Sequence, residues 1–313
     1  MLRYSPGVRT LWGVDLGGTK IEGIVVDAES PAEPIARLRV PTGSDKGYAH
    51  VVQACASLIV SLEDQTGLER PEAIGFGTPG STDPATGLMR NCNTVCLNGM
   101  PLSQDLAAAL GRTVVVTNDA NCFALAEAML GAAKGARCVF GVILGTGVGG
   151  GVVLDGQVWN GLNGIAGEWG HNAAQPDGEP CYCGRRGCVE TVLSGPALER
   201  QYLRLSGQAA SLAEIVGLHR TGGNTAATQV VNTLCREFGR CLATVVNVLD
   251  PDVIVVGGGV GQVEEIYDLG TSELKKHVFH ESPKLDVRKP ALGDSAGVFG
   301  AALQARTYRS ARH

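Results

Sequence analysis

The chain has 313 residues, of which 44 are glycine, while 44% are apolar and only 5% aromatic. No Gly-X-Y period runs through it, and 26 Lys and Arg against 31 Asp and Glu leave a net charge of only −5, so collagen-like and disordered classes are excluded. That balance, without any run of Lys or Arg, also argues against a nucleic-acid partner, and the length predicts two lobes, each with its own core. The longest nearly apolar stretch, Cys241 to Leu249, is far short of a membrane span, and residues 1–14 carry no charged-then-apolar leader pattern. A soluble, cytoplasmic protein with no membrane partner is expected.

In chain order, Gly13 to Asp27 reads as an apolar strand, a glycine turn and a second apolar strand, which is a hairpin. Gly141 to Asp155 repeats it without a gap: Gly13/Gly141, Val14/Val142, Leu16/Leu144, Gly17/Gly145, Gly23/Gly151, Val25/Val153 and Asp27/Asp155 coincide. Each lobe is therefore expected to open on such a hairpin. After the first come a polar stretch with Pro31, Pro34 and Pro41, a helix from His50 to Leu62, and a strand from Ala73 to Phe76 ended by Gly77-Thr78-Pro79-Gly80. A β-branched strand, Thr113 to Thr117, precedes a helix from Asn121 to Leu130, which puts Asn118 and Asp119 at the junction. Farther on, Glu237 to Leu249 is helical, Val253 to Val256 is a buried strand followed by Gly257-Gly258-Gly259, and Gly297 to Tyr308 is a last helix. Strands alternating with helices predict α/β layers with partly parallel sheets, in which ligands bind at glycine turns beyond the strand ends.

Several groups of residues carry chemistry. Asp15-Leu16-Gly17-Gly18-Thr19-Lys20 ends a strand with backbone N–H groups free to meet a phosphate, a cation in Lys20, and in Asp15 a carboxylate for Mg²⁺ or water; the alternative is a hairpin whose glycines only supply positive φ. Gly145-Thr146-Gly147 repeats the turn without the charges, so the two could hold opposite sides of a triphosphate, and Gly257-Gly258-Gly259 offers a third close approach, suited to adenosine or simply to a turn. His171, Cys181, Cys183 and Cys188 have the number and spacing of a closed, structural Cys₃His zinc shell, while the other seven cysteines are scattered as small hydrophobes. Such a clip gathers Glu168 and Glu190, which are otherwise solvated acids, with the imidazole edge into an acceptor cluster suited to sugar hydroxyls. Asp119 serves either as a helix cap or as the base that orients a nucleophilic hydroxyl and takes its proton.

Taken together, Asp15 to Lys20, Gly77 to Gly80, Asn118 to Asn121, Gly145 to Gly149, Gly167-Glu-Trp-Gly-His171 and the Cys181 to Glu190 block resemble the ROK family of bacterial sugar kinases and repressors, over nearly the whole chain. The resemblance implies an actin-like, hexokinase-type α/β fold of two lobes around a cleft, ATP with Mg²⁺, a structural Zn²⁺ and a homodimer. It divides the chain into a small lobe, 1–118, joined by the C-terminal helix 299–313, and a large lobe, 119–298, with the zinc loop. By the same resemblance Asp119 is the base toward the sugar 6-hydroxyl, and Gly80, Asn93, Asn118, Glu168, His171 and Glu190 bind the sugar. His171 would then have one ring nitrogen on zinc and the other facing the sugar. Asp15, Gly17, Gly18, Thr19, Lys20, Gly145, Thr146 and Gly147 would hold phosphates, with Gly258 and Gly259 near the adenosine. ROK repressors carry an N-terminal helix-turn-helix domain, for which a first motif at Asp15 leaves no room.

Leu97-Asn98-Gly99, the Gly167 to Asn172 segment, Cys181 to Gly184 and Val246 to Asp252 look similar to fructokinases of the mannofructokinase type, so the expected reaction is ATP-dependent phosphorylation of fructose, with mannose and glucose as poorer substrates. Cys96 departs from that pattern, where a tryptophan is expected. N-acetylglucosamine kinase and glucokinase of the same family are the alternatives, and a catalytically silent sugar sensor is the alternative of another class.

Overall fold

The computed structural model describes residues 9–310, with side chains to 306, so residues 1–8 and the expected reach of the last helix to 313 lie outside the described residues. They divide into two compact units. Unit 1 takes the chain up to Gly131, the excursion Gly156–Ala166 and everything from Leu292; unit 2 takes Ala132–Asp155 and Gly167–Ala291.

In unit 1, β1 (Thr10–Leu16) and β2 (Lys20–Asp27) form the expected hairpin, with Leu16 opposite Ile21. The polar, proline-bearing stretch that follows is strand β3 (Pro34–Pro41), antiparallel to β2 at the edge of the sheet. Its prolines stand at its two ends, where a missing N–H leaves the ladder intact. From β3, Arg37 and Arg39 reach the buried Glu22 of β2, at 2.5 and 2.9 Å. Helix α1 (Tyr48–Thr66) buries Val51, Cys55, Leu58, Ile59 and Leu62 and stops at Gly67, whose φ of 66° closes the helix end. Strand β4 (Ala73–Thr78) runs parallel to β1, and β7 (Thr113–Asn118) parallel to β4, giving the order β3-β2-β1-β4-β7. The two-residue strands β5 (Ser81–Thr82) and β6 (Met89–Arg90) pair between them, and α2 (Leu102–Leu110) leads into β7. Helix α3 (Asp119–Met129) follows β7 without a gap and stays in unit 1, so the change of unit comes after Gly131, beyond the boundary expected at 118. The excursion lays a short strand, β10 (Gln157–Val158), beside α3.

The last helix, α9 (Ala296–Ser310), lies across β1 and β4 so closely that only glycine fits beneath it. A Cβ on Gly13 of β1 would overlap the main chain of Val298 and Ala302, and one on Gly75 of β4 would overlap the carbonyl of Ala301. Part of the glycine excess is thus a packing device, a use that the sequence does not separate from ligand turns.

Unit 2 opens on the second hairpin, β8 (Cys138–Leu144) and β9 (Val148–Leu154), with β11 (Val253–Gly257) parallel to β8 and β12 (Val287–Arg288) parallel to β11. Both units therefore follow one plan, an antiparallel hairpin extended by parallel strands, as the internal repeat requires. Helices α4 (Glu190–Leu193), α5 (Gly195–Ser206), α6 (Leu212–Thr221), α7 (Thr225–Leu249) and α8 (Thr271–His277) complete it. Helix α7 begins well before the expected Glu237 because Asn224 caps it, accepting from the Ala227 N–H at 2.8 Å. Phe140, Leu144, Leu234, Phe238, Leu242, Ile254 and Val256 lie in its core. All ten cysteines are free, and among the described residues no helix is long and apolar enough to cross a membrane.

Candidate functional site

In unit 1 the hairpin turn Gly17–Thr19 is closed by a hydrogen bond from the Gly17 N–H to the Lys20 carbonyl at 3.0 Å, and neither Gly17 nor Gly18 has a positive φ. The glycines are therefore not there for left-handed backbone; Gly17 is still held to glycine by the turn itself, since a Cβ there would stand 2.9 Å from the Lys20 carbonyl, whereas no main chain crowds Gly18. Asp15, near the end of β1, directs its carboxylate at Gly77 and Gly297, where an added Cβ would stand 3.4 and 3.2 Å from its oxygens. Burial, then the charges of Asp119 and Glu22, push its carboxyl up to about 7, with Lys20 pulling the other way. Asp15 and Asp119 are thus close enough to feel each other's charge, as expected of groups serving one reaction centre.

Asn118 stands at the cap position of α3: its side chain accepts from the Ala120 N–H at 2.9 Å while its amide reaches the Gly80 carbonyl at 3.5 Å. Asp119 is the first residue of the helix and is exposed. The same Ala120 N–H is also shared with Asp119 Oδ1 at 2.7 Å, so Asp119 contributes to the helix start while its exposure leaves the carboxylate accessible. Asn93 is exposed too, and its N–H is tied to the Pro79 carbonyl at 3.3 Å, next to Gly80. Asn98 bonds Cys92 through both ends of its amide, accepting at 2.8 Å and donating at 3.1 Å, and so closes the loop that carries Asn93. Part of the Leu97-Asn98-Gly99 segment thus shapes a loop.

In unit 2, Glu190 heads α4 and one of its oxygens accepts from the Val148 N–H at 3.0 Å. Gly147 leaves room for it, since a Cβ there would stand 2.7 Å from the same oxygen. Glu190 is thereby tied to the second hairpin, whose tip exposes Thr146 beside Gly145. Gly258, with φ of 84°, abuts Leu144 at the turn end of β8, and Gly259 starts the short turn Val260–Gln262. Glu168 and His171 flank a single turn, Trp169–His171, held by buried Trp169, whose indole N–H donates to the Gly149 carbonyl at 2.9 Å and whose ring meets Phe140 edge-on.

The ligating atoms of His171, Cys181, Cys183 and Cys188 all lie within 4.8 Å of one another. His171 Nδ1 is 3.7 Å from the Cys181 sulfur, and Cys183 and Cys188 sulfurs are 3.6 Å apart. Metal–sulfur bonds of about 2.3 Å at tetrahedral angles put sulfurs about 3.8 Å apart, so the donor set matches a four-coordinate ion without rearrangement. Burial opposes ionisation of the Cys183 thiol, but the Arg185 main chain and its sulfur neighbours outweigh it and pull the thiol down to about 6. The other imidazole nitrogen, expected to face sugar, is 3.1 Å from the Tyr182 hydroxyl, and the two rings meet edge-on at 82°. Burial first, then the charges of Glu190 and Glu168, push that phenol up to about 12. Tyr182 therefore joins His171, Glu168 and Glu190 in one cluster. No signal in the sequence points to it, because the residue between two metal-ligand cysteines is not constrained by the metal.

The ROK family pattern matches residues 11–307. The N-acetyl-D-glucosamine kinase of Photobacterium profundum is 37% identical over 302 residues, 93% of this chain and 98% of that protein. The N-acetylgalactosamine kinase AgaK of Shewanella sp. (strain ANA-3) is 38% identical over 300 residues, 93% of this chain and 95% of that protein. Among solved structures, a ROK hexokinase from Thermus thermophilus superposes with a TM-score of 0.87 at 35% identity, covering 97% of this chain and all 100% of that one. A ROK family glucokinase from Streptomyces griseus, in complex with glucose and AMPPNP, gives 0.79 at 29% identity over 96% and 100% of the two chains. The fold is thus the expected actin-like one, and these relatives lend the fructokinase subtype no support. The chain belongs to the ROK family, as one of its sugar kinases.

Proposed function

We propose that this protein transfers the γ-phosphoryl group of ATP to the 6-hydroxyl of an N-acetylhexosamine. The observation that carries the choice of sugar is the pair of N-acetylhexosamine kinases at 37% and 38% identity over 93% of the chain. It replaces fructose, whose marker segment is accounted for in part by the loop that Asn98 closes.

The chemistry follows from the residues. Asp119, exposed at the head of α3, takes the proton of the 6-hydroxyl as its oxygen attacks the γ-phosphorus; the bond to the bridging oxygen breaks, and ADP leaves with that electron pair. In unit 1, Gly17, Gly18, Thr19 and Lys20 hold phosphate oxygens, Asp15 serves Mg²⁺, and Gly80, Asn93 and Asn118 bind sugar. In unit 2, Glu168, His171 and Glu190 bind sugar hydroxyls, Gly145, Thr146 and Gly147 hold phosphate, and Gly258 and Gly259 lie by adenosine. Zn²⁺ on His171, Cys181, Cys183 and Cys188 would pin the loop and leave the far imidazole nitrogen as an N–H donor, first to Tyr182 and then to sugar.

An ADP-release assay across N-acetylglucosamine, N-acetylgalactosamine, N-acetylmannosamine, glucose, mannose and fructose tests the reading. The highest kcat/KM should fall on an N-acetylated sugar. A preference for fructose or glucose overturns the choice of sugar, and sugar binding without ADP release would mark a sensor.

A further inference from the structure

Thr94 follows Asn93 and precedes the short turn Val95–Leu97 of unit 1. A threonine at the head of a helical turn ordinarily caps it with its side chain. Here it does not: the Leu97 N–H bonds the Thr94 carbonyl at 3.0 Å, and the hydroxyl makes no capping bond. The residue is only 4% exposed, yet its Oγ1 has no hydrogen-bond partner among the described residues. A buried hydroxyl in that state destabilises the fold that holds it, and a valine would fill the same space without the penalty. Among the described residues this group has no partner and is open to one from outside the chain.

Its surroundings say what. A Cβ placed on Gly18, at the tip of the first hairpin, would stand 3.6 Å from Thr94 Oγ1. The hydroxyl thus flanks the turn Gly17–Thr19, with Lys20 at the start of the next strand. A hydroxyl with its proton unused, beside exposed backbone and a cation, suits an anionic oxygen, to which such a bond is charge-assisted.

We propose that the Thr94 hydroxyl is a ligand of the phosphoryl group in transfer, donating to one of its non-bridging oxygens on the Gly17–Lys20 turn. It keeps its proton throughout, since Asp119 takes the one released by the sugar. The assignment rests on reading that turn as a phosphate site.

The test compares Thr94→Val and Thr94→Ser with the natural protein. Thr94→Val should melt at or above the natural protein when free, lose on the order of 100-fold in kcat, and keep its KM for the sugar within about threefold; Thr94→Ser should restore most of the rate. Natural kcat in the valine variant overturns the proposal. So does a loss confined to the sugar's KM, which would mark a sugar ligand, or a lower melting temperature, which would reveal a structural partner. If the natural protein turns over no sugar, the reading of the reaction fails, and Thr94 is judged separately by the melting shift from AMPPNP with Mg²⁺. Equal shifts in natural and valine proteins then overturn the phosphate contact.

Discussion

Replacing Asp15 by asparagine should make the free protein more stable while destroying its turnover. Burial and two neighbouring carboxylates move this group from its ordinary 3.8 to about 7. At about 1.36 kcal/mol per unit, the displacement amounts to roughly 4 kcal/mol against the ionised form. The residue keeps partial solvent contact, which screens its charge and lowers the expectation to about 2 to 3 kcal/mol. The sign follows from the two states. Below pH 3.8 both folded and unfolded chains carry the acid protonated and nothing is lost; between 3.8 and about 7 only the unfolded chain ionises it, so stability falls as pH rises; above about 7 the loss is complete. Asparagine is neutral throughout, so its advantage over aspartate should be about 2 to 3 kcal/mol at pH 8, roughly 4 °C in melting temperature for a chain this long, and less than about half of that at pH 5. Thermal melts of both proteins without nucleotide at the two pH values measure it, and ADP release reports the expected loss of turnover. Equal differences at pH 5 and pH 8, or a less stable variant at pH 8, would refute the electrostatic argument.

Asp119→Asn should cut kcat between about 100- and 10,000-fold while sugar binding measured by calorimetry persists, since only proton removal is disabled; unchanged turnover would take Asp119 out of the mechanism. Elemental analysis should find about one zinc per chain, lost together with several degrees of melting temperature in Cys188→Ser. A metal-free protein with all thiols reactive and undiminished stability would contradict the site. Gly75→Ala drives a methyl into the Ala301 carbonyl and should cost at least about 3 kcal/mol, because main chain cannot swing aside as a side chain can. A melting temperature within about 1 °C of the natural one would show that α9 can yield.

Much of this was open to the sequence. The echo of Gly13 to Asp27 in Gly141 to Asp155 named both hairpins, because a period-two apolar pattern around glycines is a local property that survives without knowledge of the fold. The Cys₃His set was equally plain, since its spacing is short and its chemistry specific. Strand β3 was hidden because its prolines read as loop unless one knows that the strand lies at an edge. Asp119 was ambiguous in sequence, as capping and catalysis ask for the same residue type at the same junction, and in the structure the Ala120 N–H is shared between Asn118 and Asp119. Tyr182 and Thr94 were illegible for a deeper reason. What marks each is a relation in space, an imidazole within reach in one case and a missing hydroxyl partner in the other, and neither leaves a pattern along the chain.

The glycine-lined bed for α9 also fixes an order of events during synthesis. The strands that offer Gly13 and Gly75 leave the ribosome long before the helix that covers them. Until then one face of that sheet has no cover, while the second hairpin and the helices around it already have all they need to fold. The nascent chain must therefore hold an apolar sheet open while everything between β4 and α9 is made, and it is in that interval, rather than in the finished enzyme, that a chaperone or a misplaced neighbouring strand finds its opening.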